Sequence, residues 1–207
     1  MNIADIMTQA PVIPVLVVDD AADAAPLAQA LVAGGLRVLE VTLRTPAALD
    51  VIREMKQVPG AIVGAGTITG TADLDAALAA GAEFIVSPGL TETLGKAAIS
   101  SGIPFLPGTA NAGDIMRGLE LGLDHFKFFP AMAAGGIPAL KALAAPFAHC
   151  RFCPTGGISA ETAPQWLALP EVLCVGGSWV APKHASPMEI EVLARAAAAL
   201  GQAAPGR

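Results

Sequence analysis

Short apolar runs alternate with Ala- and Leu-rich segments of helical length along the chain, and the alternation repeats about eight times. Runs of this kind are βα units, in which each strand is joined to the next by a helix that covers it, so that neighbouring strands pair in parallel. The candidate strands are residues 12–18, 36–43, 61–66, 84–88, 104–107, 125–130, 151–154 and 172–176. Eight strands close a barrel. Shared among eight units, the 207 residues give about 26 per unit, room for a strand, a helix of about ten residues and two short turns. The expected fold is α/β, a single-domain (β/α)8 TIM barrel over residues 1–207 with a short N-terminal helix before the first strand. An open doubly wound sheet uses the same units, but their even spacing favours closure.

The punctuation agrees. Gly34-Gly35 ends one helix and Gly81 follows another, while Thr45-Pro46 reads as an N-cap with proline at the first helical position. Pro88, Pro107, Pro130 and Pro154 fall at the C-terminal edges of candidate strands, where a missing N–H harms a ladder least. Residues 191–200 read as a covering helix.

Composition narrows the function. With 54% apolar and 14% charged residues the chain has the makings of a large interior, and a net charge of -6 leaves no broad basic face for nucleic acid or an anionic membrane. Gly, Pro and Thr interrupt every uncharged stretch, so no membrane span is expected. The start, Met1 to Asp5, lacks the basic opening of a secretory signal. Three cysteines cannot all pair within one chain, which fits a reduced, cytoplasmic setting. Cys150 and Cys153 have C-x-x-C spacing, but residues three apart on a strand face opposite sides. His149, Cys150, Cys153 and Cys174 offer no second close ligand pair, so no metal is expected. Gly64-Ala65-Gly66 opens like a dinucleotide fingerprint, yet Thr69 stands where the third glycine belongs.

Chemistry enters with strand parity. In the second strand Leu39, Val41 and Leu43 form one face and Glu40, Thr42 and Arg44 the other. In a barrel the apolar face packs on helices, so the polar one points inward and rises toward the C-terminal mouth, where such folds keep their sites. Lys127, between Phe126 and Phe128, points inward by the same rule. Burial disfavours the charged form of an ammonium, and a neutral amine can attack a carbonyl to form an imine. The plainer role is a salt bridge to Glu40, which does not exclude catalysis. His125, on the same face, reads as a packed imidazole near the floor. Thr155-Gly156-Gly157 and Gly176-Gly177-Ser178 end the last two strands, and each precedes a segment able to start a helix. Glycine pairs there let backbone N–H groups approach a phosphate closely.

The stretches Leu39-Glu40-Val41-Thr42-Leu43-Arg44-Thr45, Val63-Gly64-Ala65-Gly66-Thr67, Val86-Ser87-Pro88-Gly89-Leu90, Phe126-Lys127-Phe128-Phe129-Pro130-Ala131, Cys153-Pro154-Thr155-Gly156-Gly157 and Gly176-Gly177-Ser178-Trp179 resemble, in that order, the 2-dehydro-3-deoxy-phosphogluconate (KDPG) aldolase and 4-hydroxy-2-oxoglutarate aldolase family. The resemblance implies a barrel, assembled as a homotrimer, that works as a class I aldolase without metal or other cofactor. It makes Lys127 the Schiff-base lysine and Glu40 the acid/base. Arg44 and Thr67 would hold the pyruvate carboxylate, with Pro88 shaping that pocket and Phe128 lining it. Thr155, Gly156, Gly157, Gly176, Gly177 and Ser178 would take the far hydroxyls and the phosphate of a small 2-oxo acid phosphate.

The implied products are pyruvate and glyceraldehyde 3-phosphate, with 4-hydroxy-2-oxoglutarate or a related 2-oxo-3-deoxy sugar acid as the alternative substrate. Two departures stand out. Gly108 to Asp114 replaces a Thr-rich helix start, although Asn111 can still cap that helix, and Val17-Val18-Asp19 stands where some relatives carry an arginine. Phosphate binding then rests on the later loops. A barrel that only bound phosphosugars would gain nothing from a buried Lys and Glu, and a phosphate-handling isomerase or synthase would need no imine.

Overall fold

The computed structural model describes residues 1–201, and its strands are all parallel. Strands β1 (Val12–Leu16), β2 (Val38–Thr42), β3 (Ile62–Gly66), β4 (Ile85–Val86) and β5 (Phe105–Leu106) run side by side, with β9 (Val175–Gly177) on the free side of β1. A second sheet holds β6 (Gly108–Thr109), β7 (His125–Phe128) and β8 (Arg151–Pro154). Each candidate strand has a counterpart, and a further short strand, β6, follows the fifth in the other sheet. Pro107 has no N–H to donate, so β5 stops before it and β6 begins after it, while its carbonyl accepts from Lys127 N at 2.8 Å. Single bridges, Phe152 to Val172 and Thr155 to Gly176, join the second sheet to the other end of the first. The result is a curled parallel sheet with a concave and a convex face.

Helices α2 (Ala24–Ala33), α3 (Ala48–Met55), α4 (Thr71–Ala79), α5 (Glu92–Ser101), α6 (Ala112–Glu120), α7 (Gly136–Ala144), α8 (Ala163–Leu167) and α9 (Pro187–Ala199) follow strands in turn. The expected covering helix is α9, started by Ser186 in a capping box with Glu189. It lies on α2 closely enough that a side chain at Gly34 would meet Ala194 Cβ at 2.4 Å. Asn111 caps α6 through its side chain, as its position suggested. Thr45 does not cap α3. Its hydroxyl donates 2.7 Å to Val18 O, tying the exit of β2 to the exit of β1, and α3 starts only at Ala48.

The burial pattern separates two clusters. Leu39, Val41, Phe126, Phe128 and Phe152 belong to the large cluster under the helices, where Phe128 packs on Trp166 with ring centroids 6.3 Å apart. Ile13, Val38, Ile62, Phe84, Leu106 and Cys153 form the other, on the concave face, with Ile6 and Met7 of the short N-terminal helix α1 (Ile3–Met7) packed among them. Thus α1 plugs the N-terminal end of the curl. Cys150 and Cys153 fall in opposite clusters and carry no disulfide. Burial pushes the Cys150 thiol above its usual range, which keeps it protonated and inert.

Candidate active site

Above the apolar floor the concave face turns polar and opens into a cavity of about 410 Å3 at the C-terminal ends of the strands. Three strands set its foot. Glu40 and Lys127, 3% and 6% exposed, face each other across the curl with Nζ 3.1 Å from Oε1. Two charges removed from water are costly unless paired, and each is the other's partner. Phe129, two residues beyond Lys127 on the same face, puts its ring centroid 5.3 Å from the ammonium nitrogen, a cation–π contact that adds to the pair.

Room for the carboxylate comes from β3. A side chain at Gly66 would lie 2.2 Å from Glu40 Oε1, and one at Gly64 would cut into the Phe84 ring of the floor. The Gly64-Ala65-Gly66 run is therefore a space-making device, and its likeness to a nucleotide fingerprint ends there. The next residue, Thr67, adopts φ 64. That left-handed conformation is uncommon for a β-branched residue, and such strain gathers at functional sites.

The other lining residues rise in tiers. Thr42 and Thr155 are buried beside the pair, and the Thr42 hydroxyl is spent on Leu16 O at 2.8 Å. Thr67 and Gly156 are half-buried, and Arg44, Pro88, Gly157 and Ser178 stand exposed at the mouth. Gly176 is bare where a side chain would strike Thr155 Oγ1 at 2.3 Å, which frees that hydroxyl to approach the cavity.

Ten of the twelve residues to which the family resemblance gives a role line this one cavity: Glu40, Arg44, Thr67, Pro88, Lys127, Thr155, Gly156, Gly157, Gly176 and Ser178. Phe128 and Gly177 do not. Phe128 is on the convex face by parity, and Phe129 takes the place expected of it. Gly177 is buried under Trp179, whose ring lies 2.1 Å from where a side chain would begin, so it shapes the loop and does not line the cavity. Val15, Val17 and Ile158 also line the cavity unforeseen, and the first two share the face of Glu40 through the β1 to β2 register.

Neither glycine loop runs straight into a helix. Gly156 and Gly157 precede α8 by several residues, and Ser178 opens a turn closed by Ala181 N to Ser178 O at 3.2 Å. An anion at this rim would meet loop N–H groups, not a helix start. His125 is held by Asp124 at 2.6 Å, half-buried and outside the lining, as a structural imidazole. Among the described residues no cluster of His, Cys, Asp and Glu has metal-binding geometry, and no helix is long and apolar enough to cross a membrane.

Comparison with known proteins follows the same lines. A family model described as KDPG and KHG aldolase matches residues 3–194. The 2-dehydro-3-deoxy-phosphogluconate aldolase of Zymomonas mobilis is 58% identical over 204 residues, covering 98% of each chain. The 2-keto-3-deoxy-6-phosphogluconate aldolase of Zymomonas mobilis ZM4, solved with 3-phosphoglycerate, has a TM-score of 0.95 and 57% identity over 99% of this chain and 98% of its own. The KDPG aldolase of Legionella pneumophila, with pyruvate captured at low pH as a covalent carbinolamine intermediate, has a TM-score of 0.93 and 45% identity over 96% of this chain and 98% of its own.

Proposed function

This chain belongs to the KDPG and KHG aldolase family, and from that premise we propose that it cleaves 2-dehydro-3-deoxy-6-phosphogluconate to pyruvate and glyceraldehyde 3-phosphate as a class I aldolase. One observation carries the proposal: a lysine amine buried at the foot of an open cavity, hydrogen-bonded at 3.1 Å to a buried carboxylate. Stability alone is a weak reason for such a pair, because a buried ion pair is often no better than apolar residues of the same size.

The chemistry follows from the pair. Lys127 Nζ adds to the C2 carbonyl, and the carbinolamine loses water to give a protonated imine. Glu40 takes the C4 hydroxyl proton as the C3–C4 bond breaks. The bond's electrons pass into the imine, leaving an enamine in place of a bare carbanion and releasing the aldehyde. Protonation at C3 and hydrolysis return pyruvate and the free amine. Arg44 and Thr67 bind the carboxylate, Pro88 and Phe129 wall that end, and the Thr155, Gly156, Gly157, Gly176 and Ser178 side takes the hydroxyls and phosphate.

We further take β5 and β6 as one strand bent at Pro107, so that eight strands close as a (β/α)8 barrel through the 152–172 and 155–176 bridges. Residues 1–201 then form one domain, the last six of the expected 1–207 span lying outside the described residues, and the family resemblance supports a cytoplasmic homotrimer.

Borohydride added with saturating pyruvate is expected to attach one reduced pyruvate to the protein, and peptide mapping should find it on Lys127. An unmodified Lys127 peptide rejects the mechanism. A second variant tests the space beneath Glu40. In Gly66→Ala the new methyl displaces the carboxylate, so cleavage is expected to fall roughly 10-fold or more while overpacking costs about 1–3 kcal/mol. For a domain of this size that lowers the melting temperature by roughly 3–10 °C. A thermal melt and steady-state kinetics on the same preparation check both.

A further inference from the structure

The two anionic ends of the proposed substrate meet unequal positive charge. Arg44 stands on the carboxylate side, and Lys127 is balanced by Glu40, whereas the Gly176 and Ser178 rim offers only N–H and O–H dipoles. A phosphate monoester carries about -1.5 to -2 charges near neutral pH. The exit loop of β1 aggravates the imbalance, because its Asp19 and Asp23 line a second cavity that meets the first at Val17.

Across residues 17–23 and 178–186, the loops that leave β1 and β9, Lys183 is the single Lys or Arg. The two strands are neighbours, with Ile13 opposite Gly176 and Pro14 opposite Gly177, so their exit loops share one sector of the mouth. Lys183 Nζ lies 3.2 Å from Asp19 Oδ2, and both side chains are 68% exposed. Together with Asp23 and His184 they line a second cavity of about 420 Å3 that shares Val17 with the first.

Given the proposed function, on which this step rests, we propose that Lys183 is a specificity residue for the substrate phosphate: Asp19 holds its ammonium in the free enzyme, and a phosphate at the Ser178 rim draws it across Val17. The exchange is favourable on simple grounds. An ion pair this open to water is weakly held, and a dianion already receiving loop hydrogen bonds is a stronger partner for an ammonium than one solvated carboxylate. Unphosphorylated substrates offer the lysine nothing in exchange for Asp19, so the loop favours phosphorylated ones.

The test compares two reactions of one enzyme: cleavage of 2-dehydro-3-deoxy-6-phosphogluconate, and deuterium exchange at the methyl group of pyruvate, which involves no phosphate. Lys183→Ala is expected to lower kcat/KM for cleavage by roughly 5- to 30-fold, mainly through KM, and to leave exchange within about 2-fold. Lys183→Arg should restore most of the loss, and Asp19→Asn, which frees the lysine, should lower KM for cleavage. Unchanged cleavage in Lys183→Ala, an equal loss in exchange, or a raised KM in Asp19→Asn overturns the proposal and leaves the aldolase assignment standing. A wild-type enzyme that exchanges pyruvate but does not cleave the phosphorylated substrate overturns the substrate assignment, and Lys183's role with it.

Discussion

Lys127→Arg is expected to lose cleavage by roughly 10⁴-fold or more, the scale on which removal of a covalent nucleophile acts. Arginine keeps the positive charge beside Glu40 and can still donate to its carboxylate, but a guanidinium is never deprotonated in a protein and cannot form the imine. Lys127→Ala is the poorer test, because it leaves the 3% exposed Glu40 as an unpaired buried charge, and removing one partner of such a pair costs about 3–5 kcal/mol. A thermal melt separates a folded, inactive variant from a collapsed one. Deuterium exchange at the pyruvate methyl should disappear with cleavage, since both pass through the enamine. A folded Lys127→Arg variant that retains turnover would mean that the lysine only balances Glu40.

Much of this site could be read from strand parity. Glu40, Thr42 and Arg44 stand at alternate positions of one strand, and Lys127 sits between two phenylalanines, so each strand's polar face declares itself without any tertiary information. The structure sets those faces toward one cavity. Where family resemblance and parity disagree, parity is right: the resemblance implies Phe128 in the cavity, but Phe128 alternates with Lys127, and counting two residues on from the lysine gives Phe129, the ring that does line the cavity. The same count along β1 gives Val15 and Val17.

Other features have no local signal. Gly66 reads as a strand end or part of a fingerprint, and its use depends on Glu40 reaching across from β2. Gly177 looks like a second anion-binding glycine, but the seat of the Trp179 ring withdraws it. Thr45 has the chemistry of an N-cap and the neighbour to suit, yet Val18 O outbids the helix because β1 and β2 are paired. The Asp19 to Lys183 contact joins residues 164 apart in sequence, and no periodicity encodes it. What the sequence leaves open is thus contact between loops, since loop conformation is set by neighbours far along the chain and strand facing is set by the strand itself.

Glu40→Gln is expected to slow deuterium exchange at the pyruvate methyl by roughly 10²- to 10⁴-fold, the usual worth of a positioned acid or base. Cleavage should fall by a similar factor. The amide keeps the size of the side chain and an oxygen that can accept from Lys127 Nζ, so the geometry at 3.1 Å has a neutral counterpart. What it loses is the capacity to take a proton from C4–O–H or from the methyl of bound pyruvate. Imine formation depends first on the lysine, so borohydride trapping of pyruvate should still label the variant at saturating ligand. That split between trapping and exchange is what distinguishes a proton-transfer role from a structural one. An undiminished exchange rate would make Glu40 a counter-ion only, while loss of trapping in a folded variant would move its role back to formation of the carbinolamine. The Gly66→Ala variant bears on the same choice, because it keeps the carboxylate and moves it: if position matters as proton transfer requires, exchange falls there too, although the charge beside Lys127 is still present.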